Sequence, residues 1–595
     1  MTKAGGLPEK EKPYNFQGYF NKYIPKMKPR AMAQCAAGAD LAAKWKLFAD
    51  FAGPVGCYSP ASRQTVGMPM RRFAPLALSL ACLAMLPVSP VMAAPASVRL
   101  TPAAAATEAA HQAAMEGYLY LYPLLTMDLT RRQFTHPSQG THGAAANAFL
   151  HGRTLPRPGA ASPWANPDML RSTAWVDLTA GPVVLSAPAT QGRLYTLTLL
   201  DLWTDAFAVL GKRTTGTGKS NTVIVPPGWT GTLPSGMTRI DAPTAHVWAR
   251  LLIQTDGPTD YAAVNTLQDG YALTPLSQWN LPAQSQRVKS DPNLDLKISV
   301  REQVESMPTD AFFAYAAELL RKNPPHATDQ PVLARLRQVG LIPGRPFDFD
   351  KLDHPAKQGM RRGLRAARER MQAAAGTTLR SLNGWQQETA QVGVYGNAYL
   401  RRALAAQAQP GSGLPEDLAV LLLAADSQGR PIESAHRYLM HFESGQLPPA
   451  GALWSLAAYD SQGMPGANVL DRHALSDRQP LRYNADGSLD LHFSQTPVPP
   501  EDQANWLPLP PAGAVTLLLR VYDPQPALLD GLWMPPPLLR DDPQPQAEAA
   551  PADSEPALPA PTETPPATSS APVSQATTPA TKGPSQTAAT PTKKP

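Results

Sequence analysis

The chain has no cysteine beyond residue 82. Its three cysteines are Cys35, Cys57 and Cys82. Residues 83–595 therefore cannot form a disulfide, use a thiolate nucleophile or bind a metal through sulfur. Two patterns of catalytic chemistry are absent as well, H-E-x-x-H and G-x-S-x-G. The sequence thus predicts no metal site and no cofactor. A Ser–His–Asp site assembled from distant loops stays open, because such triads are defined by geometry and not by order.

The body of the chain also lacks the excess of positive charge that the whole sequence suggests. The net charge is +6, but residues 1–72 contain twelve Lys and Arg against four Asp and Glu, so residues 73–595 have a net charge of −2. Basic character is the electrostatic mark of nucleic-acid binding, and here it is confined to the first residues. We therefore expect no nucleic-acid partner.

Residues 68–93 have the three parts of a secretory signal peptide. A positive pair, Arg71 and Arg72, precedes an apolar run that ends near Leu86, and a small-x-small pattern then predicts cleavage between Ala93 and Ala94. The apolar run is too short to leave a stable membrane anchor after processing. We expect a periplasmic or secreted protein, with residues 1–67 a disordered gene-model extension. The competing interpretation is a cytoplasmic extension followed by a membrane anchor.

The remaining sequence alternates between strand-rich and helix-rich regions. Short β-branched runs separated by Gly, Pro and Thr turns fill residues 172–255, amphipathic helical patterns fill 300–375, and strand patterns then return. We predict a flexible lead-in over 94–109, a first β-sandwich over 110–290 that begins with a helix interrupted near Pro123, a helical region over 291–380, and a second β-sandwich over 381–538. Residues 539–595 are rich in Pro, Ala, Thr and Ser and should be disordered.

The stretch GTGKS at residues 216–220 resembles the end of a phosphate-binding P-loop. A P-loop requires a glycine at position 213, where this chain has Arg213, and a helix directly after the serine. The chain instead continues into a β-branched run closed by Pro-Pro-Gly, which predicts a strand and a turn. Nucleotide binding is therefore excluded here. An anion-binding nest formed by Thr214, Thr215, Gly216 and Gly218, with Arg213 beside it, is the remaining functional hypothesis.

Long motifs, in order, resemble two families. GYLYLYPLLTMDLTRRQ, NPDMLRSTAWVDLTAGPVVLSAP and DLWTDAFAVLGKRTTGTG resemble the domain-of-unknown-function family 1254. YGNAYLRRAL, RYLMHFESGQLPPAGALWSLAAYD and LDGLWMPP resemble its companion, family 1214. The resemblance covers roughly residues 110–538. It implies two β-sandwiches, immunoglobulin-like and then jelly-roll-like, joined by a helical region. It implies little chemistry. Where the family usually has Asn-x-Asp-Thr-x-Tyr, this chain has Asn166-Pro167-Asp168-Met169-Leu170-Arg171. It therefore lacks the threonine and tyrosine hydroxyls, which puts a shared site there in doubt.

The candidate site residues are polar side chains within these motifs. They are Asp168, Asp201, Trp203, Asp205, Arg213, Thr214, Thr215, Gly216 and Gly218 in the first half, and His441, Arg472 and Asp477 in the second. Paired carboxylates such as Asp168 and Asp201 would serve acid–base chemistry or hold a sugar beside Trp203. The alternative interpretation is that these residues have no role in binding or catalysis and only pack in the core or cap turns.

Two function classes follow. The first is an envelope-associated binding or structural protein whose partner is a small acidic or carbohydrate-like ligand or an envelope glycan. The second is a hydrolase or lyase acting on such a substrate between the sandwiches, which an aspartate of raised pKa beside a second carboxylate would favour. The sequence leaves the oligomeric state open.

Overall fold

The computed structural model describes residues 100–156, 158, 163–281, 294–375, 380–387, 392–408 and 410–542. The predicted gene-model extension, the signal peptide with its cleavage between Ala93 and Ala94, and the tail beyond residue 542 lie outside these residues. Within them the protein is mainly β with a helical middle region, as the sequence predicts.

The first sandwich packs a five-stranded sheet, in the order β1-β2-β8-β4-β5, against a four-stranded sheet, in the order β7-β6-β3-β9. Strand β8 shows why: in HVWARLLIQ, Val247, Ala249, Leu251 and Ile253 alternate with half-buried residues, so one side of the strand enters the core. The strands are β1 Leu150–His151, β2 Met169–Asp177, β3 Val183–Ala187, β4 Tyr195–Leu200, β5 Ala206–Gly211, β6 Ser220–Val225, β7 Thr238–Asp241, β8 His246–Gln254 and β9 Ala272–Pro275.

The second sandwich packs a six-stranded sheet, β10-β11-β12-β18-β14-β15, against a four-stranded sheet, β17-β16-β13-β19. Its core is apolar and separate from that of the first sandwich. The strands are β10 Arg380–Leu382, β11 Trp385–Gln387, β12 Leu418–Leu423, β13 Tyr438–Phe442, β14 Ala450–Asp460, β15 Ala474–Ser476, β16 Leu489–Ser494, β17 Trp506–Pro508, β18 Val515–Pro524 and β19 Leu539–Arg540.

A helical layer forms the third body of the fold around the long helix α1. The helices are α1 Pro102–Phe134, α2 Tyr261–Asp269, α3 Val300–Ser306, α4 Thr309–Leu319, α5 Gln330–Gln338, α6 His354–Ala374, α7 Tyr399–Ala408 and α8 Pro526–Leu529. Helix α6 approaches α1 closely because Gly359 and Gly363 carry no side chain at the contact. A Cβ at either position would lie within 3 Å of α1 backbone and alanine atoms. None of the described helices combines the length and apolarity that a bilayer crossing needs.

Several predicted boundaries, and one predicted helix break, differ from the structure. The lead-in over 94–109 is helical from Pro102, because Thr101 caps an alanine-rich first turn. Helix α1 is not interrupted at Pro123, because residues Tyr118–Leu129 are buried and packing holds the turn that proline weakens. Residues 110–134 consequently belong to the helical layer and not to the first sandwich. The second sandwich extends past 538, since β19 pairs with β13.

The outer face of the five-stranded sheet meets both neighbours of the first sandwich. At one end, Trp175 and Leu200 join the helical core. At the other end, Met169 and Leu194 pack against Leu453 and Tyr522 of the second sandwich.

Candidate functional site

The turn after β4 carries a buried carboxylate pair. Asp201 is fully buried, and its Oδ1 accepts hydrogen bonds from the backbone N–H of Trp203 (2.9 Å) and of Asp205 (3.0 Å). Thr204, within the turn, has a φ of 68° although it is β-branched. A conformation of this kind costs about 1–3 kcal/mol and persists only where surrounding contacts hold it. The turn is thus locally strained and held from outside.

Two cations from other parts of the chain neutralise these carboxylates. Nε2 of His326 lies 2.7 Å from Asp201 Oδ2, and Nδ1 lies 3.6 Å from Asp205 Oδ2. Arg402 on α7, whose side chain is fully buried, donates to Asp205 Oδ2 at 2.7 Å. We call these four residues the charge clamp. Its two negative and two positive groups balance when His326 is protonated, and they join the first sandwich to two segments of the helical layer.

Burial and neighbouring charges shift the pKa values within the charge clamp. Burial raises the pKa of Asp205 to about 6, with Arg402 opposing the rise and Asp201 adding to it. Burial alone would lower the pKa of His326, but the hydrogen bond and charge of Asp201 outweigh it and leave that pKa raised.

Aromatic side chains enclose the charge clamp on the helical side. Trp203 stacks on Tyr120 of α1 at 4.7 Å between ring centroids, and its indole N–H donates to the Pro324 carbonyl. The hydroxyls of Tyr120 and Tyr399 each donate to the buried Asp329, at 3.1 Å and 3.0 Å. Trp203 is therefore a core residue here, and its stacking partner is a tyrosine of the same chain.

The charge clamp also contains a set of metal-type ligands that the sequence did not suggest. One ligand atom each from Asp201, Asp205 and His326 lie within 4.8 Å of one another. A pattern such as H-E-x-x-H finds ligands on one helix, whereas these come from a turn and a segment 121 residues away. Arg402 already bonds Asp205, and both imidazole nitrogens face carboxylates. The residues fit a bound proton better than a metal ion, so we derive no metal chemistry from them.

A second polar region, the arginine recess, lies in the middle of the outer face. We define it as Arg171 and Thr173 on β2, Arg250 on β8, and Thr196 and Thr198 on β4. The strand register places Thr173, Arg250 and Thr198 in one row and Arg171 and Thr196 in the next, with Leu252 between them. Apolar contacts to the helical core and to the second sandwich bound it at its two ends.

The two arginines of the recess have no carboxylate partner among the described residues. The Arg171 guanidinium has no hydrogen-bond partner there either. Its side chain is exposed, yet burial lowers its pKa, so it stands in a depression surrounded by protein. Burial, and next the positive charge of Arg171, lower the pKa of Arg250 to about 10. Two cations thus repel each other in a partly desolvated space.

A glycine strap, residues Pro410–Gly413, crosses one side of the recess. The carbonyl of Gly411 accepts a hydrogen bond from Arg250, and its N–H donates to Thr204 Oγ1 at 3.0 Å. Gly411 has a φ of 83°, and a Cβ there would lie 2.8 Å from Trp248. Only glycine satisfies both the backbone conformation and the close approach. The strap therefore links the strained turn of the charge clamp to the recess.

Asp168 lies at the opposite end of the sheet from Asp201. On β8, Trp248 pairs with the residue before Asp201, and Gln254 pairs with the residue after Asp168. These two positions are six residue steps apart, or about 20 Å. The two carboxylates therefore do not form the acid–base pair that the sequence suggested. Asp168 instead accepts from Ser455 (2.5 Å), Tyr522 (2.9 Å) and Arg478 (3.2 Å) of the second sandwich. It is a joint between the sandwiches.

The GTGKS loop is held by hydrogen bonds to the backbone of the residues just before it. The N–H groups of Thr214, Thr215 and Gly216 all donate to the Gly211 carbonyl, so they do not converge on an open concavity. The Thr215 hydroxyl accepts from the N–H of Gly211. Arg213 pairs with Asp417 at 2.8 Å, next to β12 of the second sandwich. Gly218 lies in the turn before β6, which confirms a strand in place of a P-loop helix.

The three candidate residues of the second sandwich lie apart from both polar regions. His441 faces Asp490 at 2.6 Å, which raises its pKa. Arg472 donates to backbone carbonyls of Gln503 and Trp506. Asp477 accepts from the Trp454 N–H, and burial raises its pKa. Each of these side chains therefore has a partner within its own sandwich.

Comparison with known proteins gives two regional family matches and a similar fold. Residues 146–275 match DUF1254, a protein family of unknown function, and residues 418–526 match DUF1214, likewise of unknown function. The VPA0106 protein from Vibrio parahaemolyticus has a similar fold, with a TM-score of 0.56 at 20% identity, over 73% of this chain and all of its own. A putative uncharacterized protein from Burkholderia cenocepacia matches 74% of this chain and 94% of its own at 12% identity, with a TM-score of only 0.35. No curated protein matches the chain.

The first family match spans the strands β1–β9 of the first sandwich, and the second spans β12–β18 of the second sandwich. The similar solved structure supports the same arrangement of folds and carries no activity to this chain. The chain therefore contains a region that matches DUF1254 followed by a region that matches DUF1214.

Proposed function

We propose that the protein is an exported binding protein that takes up an anionic ligand in the arginine recess. Export is supported by the signal-like sequence of residues 68–93, and would place the protein in the periplasm or outside the cell. The observation that carries the binding function is the pair Arg171 and Arg250, which project side by side from adjacent strands without a carboxylate among the described residues.

An anion would remove an electrostatic penalty at this place. Buried or partly buried charges in proteins are normally paired, and arginine offers carboxylates and similar anions two parallel N–H donors. The Cβ atoms of diagonal neighbours on adjacent antiparallel strands lie about 7–8 Å apart, so both long guanidinium side chains can reach one anion. The depression around Arg171 excludes part of the solvent, which strengthens such contacts relative to an open surface.

Calorimetric titration of the mature chain with glucuronate, sulfate and phosphate at constant ionic strength tests this proposal, with glucose as the neutral control. We expect binding of at least one anion and none of glucose. Arg171→Gln should weaken binding by about tenfold or more, because one charge-assisted hydrogen-bond pair contributes about 1.5–3 kcal/mol. Arg239→Gln is the matched control, since Arg239 is an exposed arginine of the same sandwich that pairs with Asp241. Equal affinity of both variants would contradict the proposal.

A hydrolase or lyase is the second candidate function. It is favoured by one observation, that the pKa of Asp205 is raised to about 6 beside a second carboxylate, Asp201. A carboxyl group near neutral pKa beside His326 is suited to proton transfer. Turnover of an acidic polysaccharide such as polygalacturonate, lost in His326→Gln and kept in His473→Gln, would support this function. If neither new reducing ends nor unsaturated products form, the hydrolase or lyase function is contradicted and only the binding function remains.

A further inference from the structure

The threonines of the arginine recess are unusual among the polar residues of this face because their hydroxyls have spare hydrogen-bonding capacity. Thr173 Oγ1 accepts from the indole N–H of Trp248 at 2.7 Å, so its own proton is left to donate elsewhere. Thr196 and Thr198 have no hydrogen-bond partner for their hydroxyls among the described residues. By contrast, the Thr244 hydroxyl beside the same sheet accepts from the Leu202 N–H and donates to the His246 carbonyl.

The register fixes how these hydroxyls surround the arginines. Thr173 and Thr198 are the direct cross-strand neighbours of Arg250, one on each side, and Thr196 lies in the row of Arg171. Neighbouring strands are about 4.8 Å apart and alternate residues about 7 Å apart along a strand. The polar patch is therefore about 10 Å wide and 7 Å long, which is the scale of one small sugar acid.

Charge and hydroxyls occur together in a region that is otherwise apolar. The helical core bounds it through Trp175 and Trp248, and the contact with Leu453 and Tyr522 bounds it on the other side. Thr198 is buried here, and a buried polar group needs a hydrogen-bond partner, whereas the exposed Arg171 and the half-buried Thr196 are open to solvent. A simple anion would satisfy the arginines and leave the three hydroxyls unpaired, whereas a ligand with both groups would satisfy all five side chains.

Resting on the proposed anion-binding function, we propose that the ligand is a polyhydroxy monocarboxylate, an aldonate or uronate type of sugar acid. Its carboxylate lies between Arg171 and Arg250, and its hydroxyls bond to Thr173, Thr196 and Thr198. In this arrangement the arginines provide attraction for any anion, and the threonines provide the selection for hydroxylated ones. Thr196 and Thr198 are specificity-determining residues.

Three six-carbon probes separate the two contributions by calorimetric titration of the full mature chain. Gluconate has the carboxylate and the hydroxyls, hexanoate has the carboxylate alone, and sorbitol has the hydroxyls alone. We expect gluconate to bind at least about tenfold more tightly than hexanoate, because two or three neutral hydrogen bonds of the usual strength separate the two. Sorbitol should show no binding at the same concentrations.

Substitution of the hydroxyls then locates the selection. Thr196→Val and Thr198→Val keep the side-chain shape, and each should weaken gluconate about three- to tenfold while leaving hexanoate unchanged. Thr238→Val, at an exposed strand position of the same sandwich, is the control. Since Thr196 is half-buried, its variant tests the proposal even where loss of the Thr198 hydroxyl disturbs folding.

The outcomes distinguish this inference from the function on which it rests. Hexanoate binding as tightly as gluconate, or valine variants that weaken both probes equally, would overturn the sugar-acid assignment and leave an anion-binding recess. Failure of every anion to bind, or gluconate affinity unchanged by Arg171→Gln, would remove the recess itself as the site. The anion-binding function and the sugar-acid assignment are both supported if wild type binds gluconate more tightly than hexanoate and if the threonine variants and Arg171→Gln weaken gluconate binding while the control variants do not.

Discussion

The charge clamp and the arginine recess are two polar regions along the outer face of the five-stranded sheet, and they differ in charge balance. In the clamp, Asp201 and Asp205 face His326 and Arg402, so each charge has an opposite partner within hydrogen-bond distance. In the recess, Arg171 and Arg250 are diagonal neighbours on adjacent strands and have no carboxylate partner among the described residues, although Arg250 donates to the Gly411 carbonyl and lies over the Trp248 ring. A charge-balanced set needs no ligand to neutralise it and stabilises the fold, even though Nε and Nη1 of Arg402 have no hydrogen-bond partner among the described residues. An unbalanced set reduces stability unless something else occupies it, which is the usual trade-off at binding sites.

The largest expected effect comes from breaking the clamp at its fully buried carboxylate. Asp201→Ala removes the acceptor of two backbone N–H groups and the partner of His326, and should lower the free energy of unfolding by about 3–5 kcal/mol. Asp201→Asn keeps an oxygen for the backbone donors and should cost clearly less. Urea unfolding at neutral pH measures both. An alanine variant within about 1 kcal/mol of wild type would contradict the structural role of the clamp.

The next effect is a dependence of the clamp on pH. The pKa of Asp205 rises from 3.8 to about 6 on folding, so the folded protein holds a proton that the unfolded chain releases. The stability from this proton is complete below about pH 4 and is lost as the pH rises through about 6, on the order of 2–3 kcal/mol in total. The raised pKa of His326 acts in the same direction, above pH 6.5.

The measurement is the difference in unfolding free energy between wild type and Asp205→Asn across this range. We expect wild type to lose stability relative to the variant between pH 4 and pH 6, and the difference to level off above that range. Asp310→Asn, which removes an exposed carboxylate, controls for the change in charge. If the unfolding free energy of wild type minus that of the variant stays constant or increases as the pH rises, Asp205 is ionised throughout.

A smaller effect is expected from the glycine strap that joins the two regions. Gly411→Ala places a Cβ 2.8 Å from Trp248 in a left-handed conformation, and should cost about 2–3 kcal/mol. Gly216→Ala is a matched control, because Gly216 has a φ of 78° but no atom within 4 Å of its Cβ position. It should cost only about 1 kcal/mol. Equal melting temperatures of the two variants would mean that the strap does not pack on Trp248.

Much of the fold follows from periodicity, whereas the sites depend on register and topology. The alternation in β8 and the stripe of Met360, Leu364, Ala367 and Met371 on α6 are local patterns, and the structure confirms the strand and the helix. Pro123 misled the prediction because a local rule ignores the tertiary packing of α1. Local sequence could not pair Asp201 with His326 or Asp168 with Tyr522, since these contacts cross from one body of the fold to another.

One sequence signal did mark the recess. Arg171 stands where the family pattern has tyrosine, which suggested the loss of a shared site. The structure places this residue beside Arg250 on the outer face, so the departure adds a second cation to the recess. The sequence showed Arg171 only as a departure from the family pattern, and its neighbour on β8 could not be predicted, because register between strands is set by the whole sheet.

The smallest predicted change, and the one of opposite sign, is Arg171→Gln. Arg171 has no described partner to lose, and its charge repels Arg250. Its removal should therefore leave the ligand-free protein as stable as wild type or more stable by up to about 1 kcal/mol, whereas Asp201→Ala should lose several. Urea unfolding without added anion, repeated at high salt to screen the repulsion, measures the effect. A gain at low salt that shrinks at high salt supports two unpaired cations in the recess. A loss of more than about 1 kcal/mol would mean that Arg171 stabilises the fold, and the contrast between a balanced clamp and an unbalanced recess would then fail.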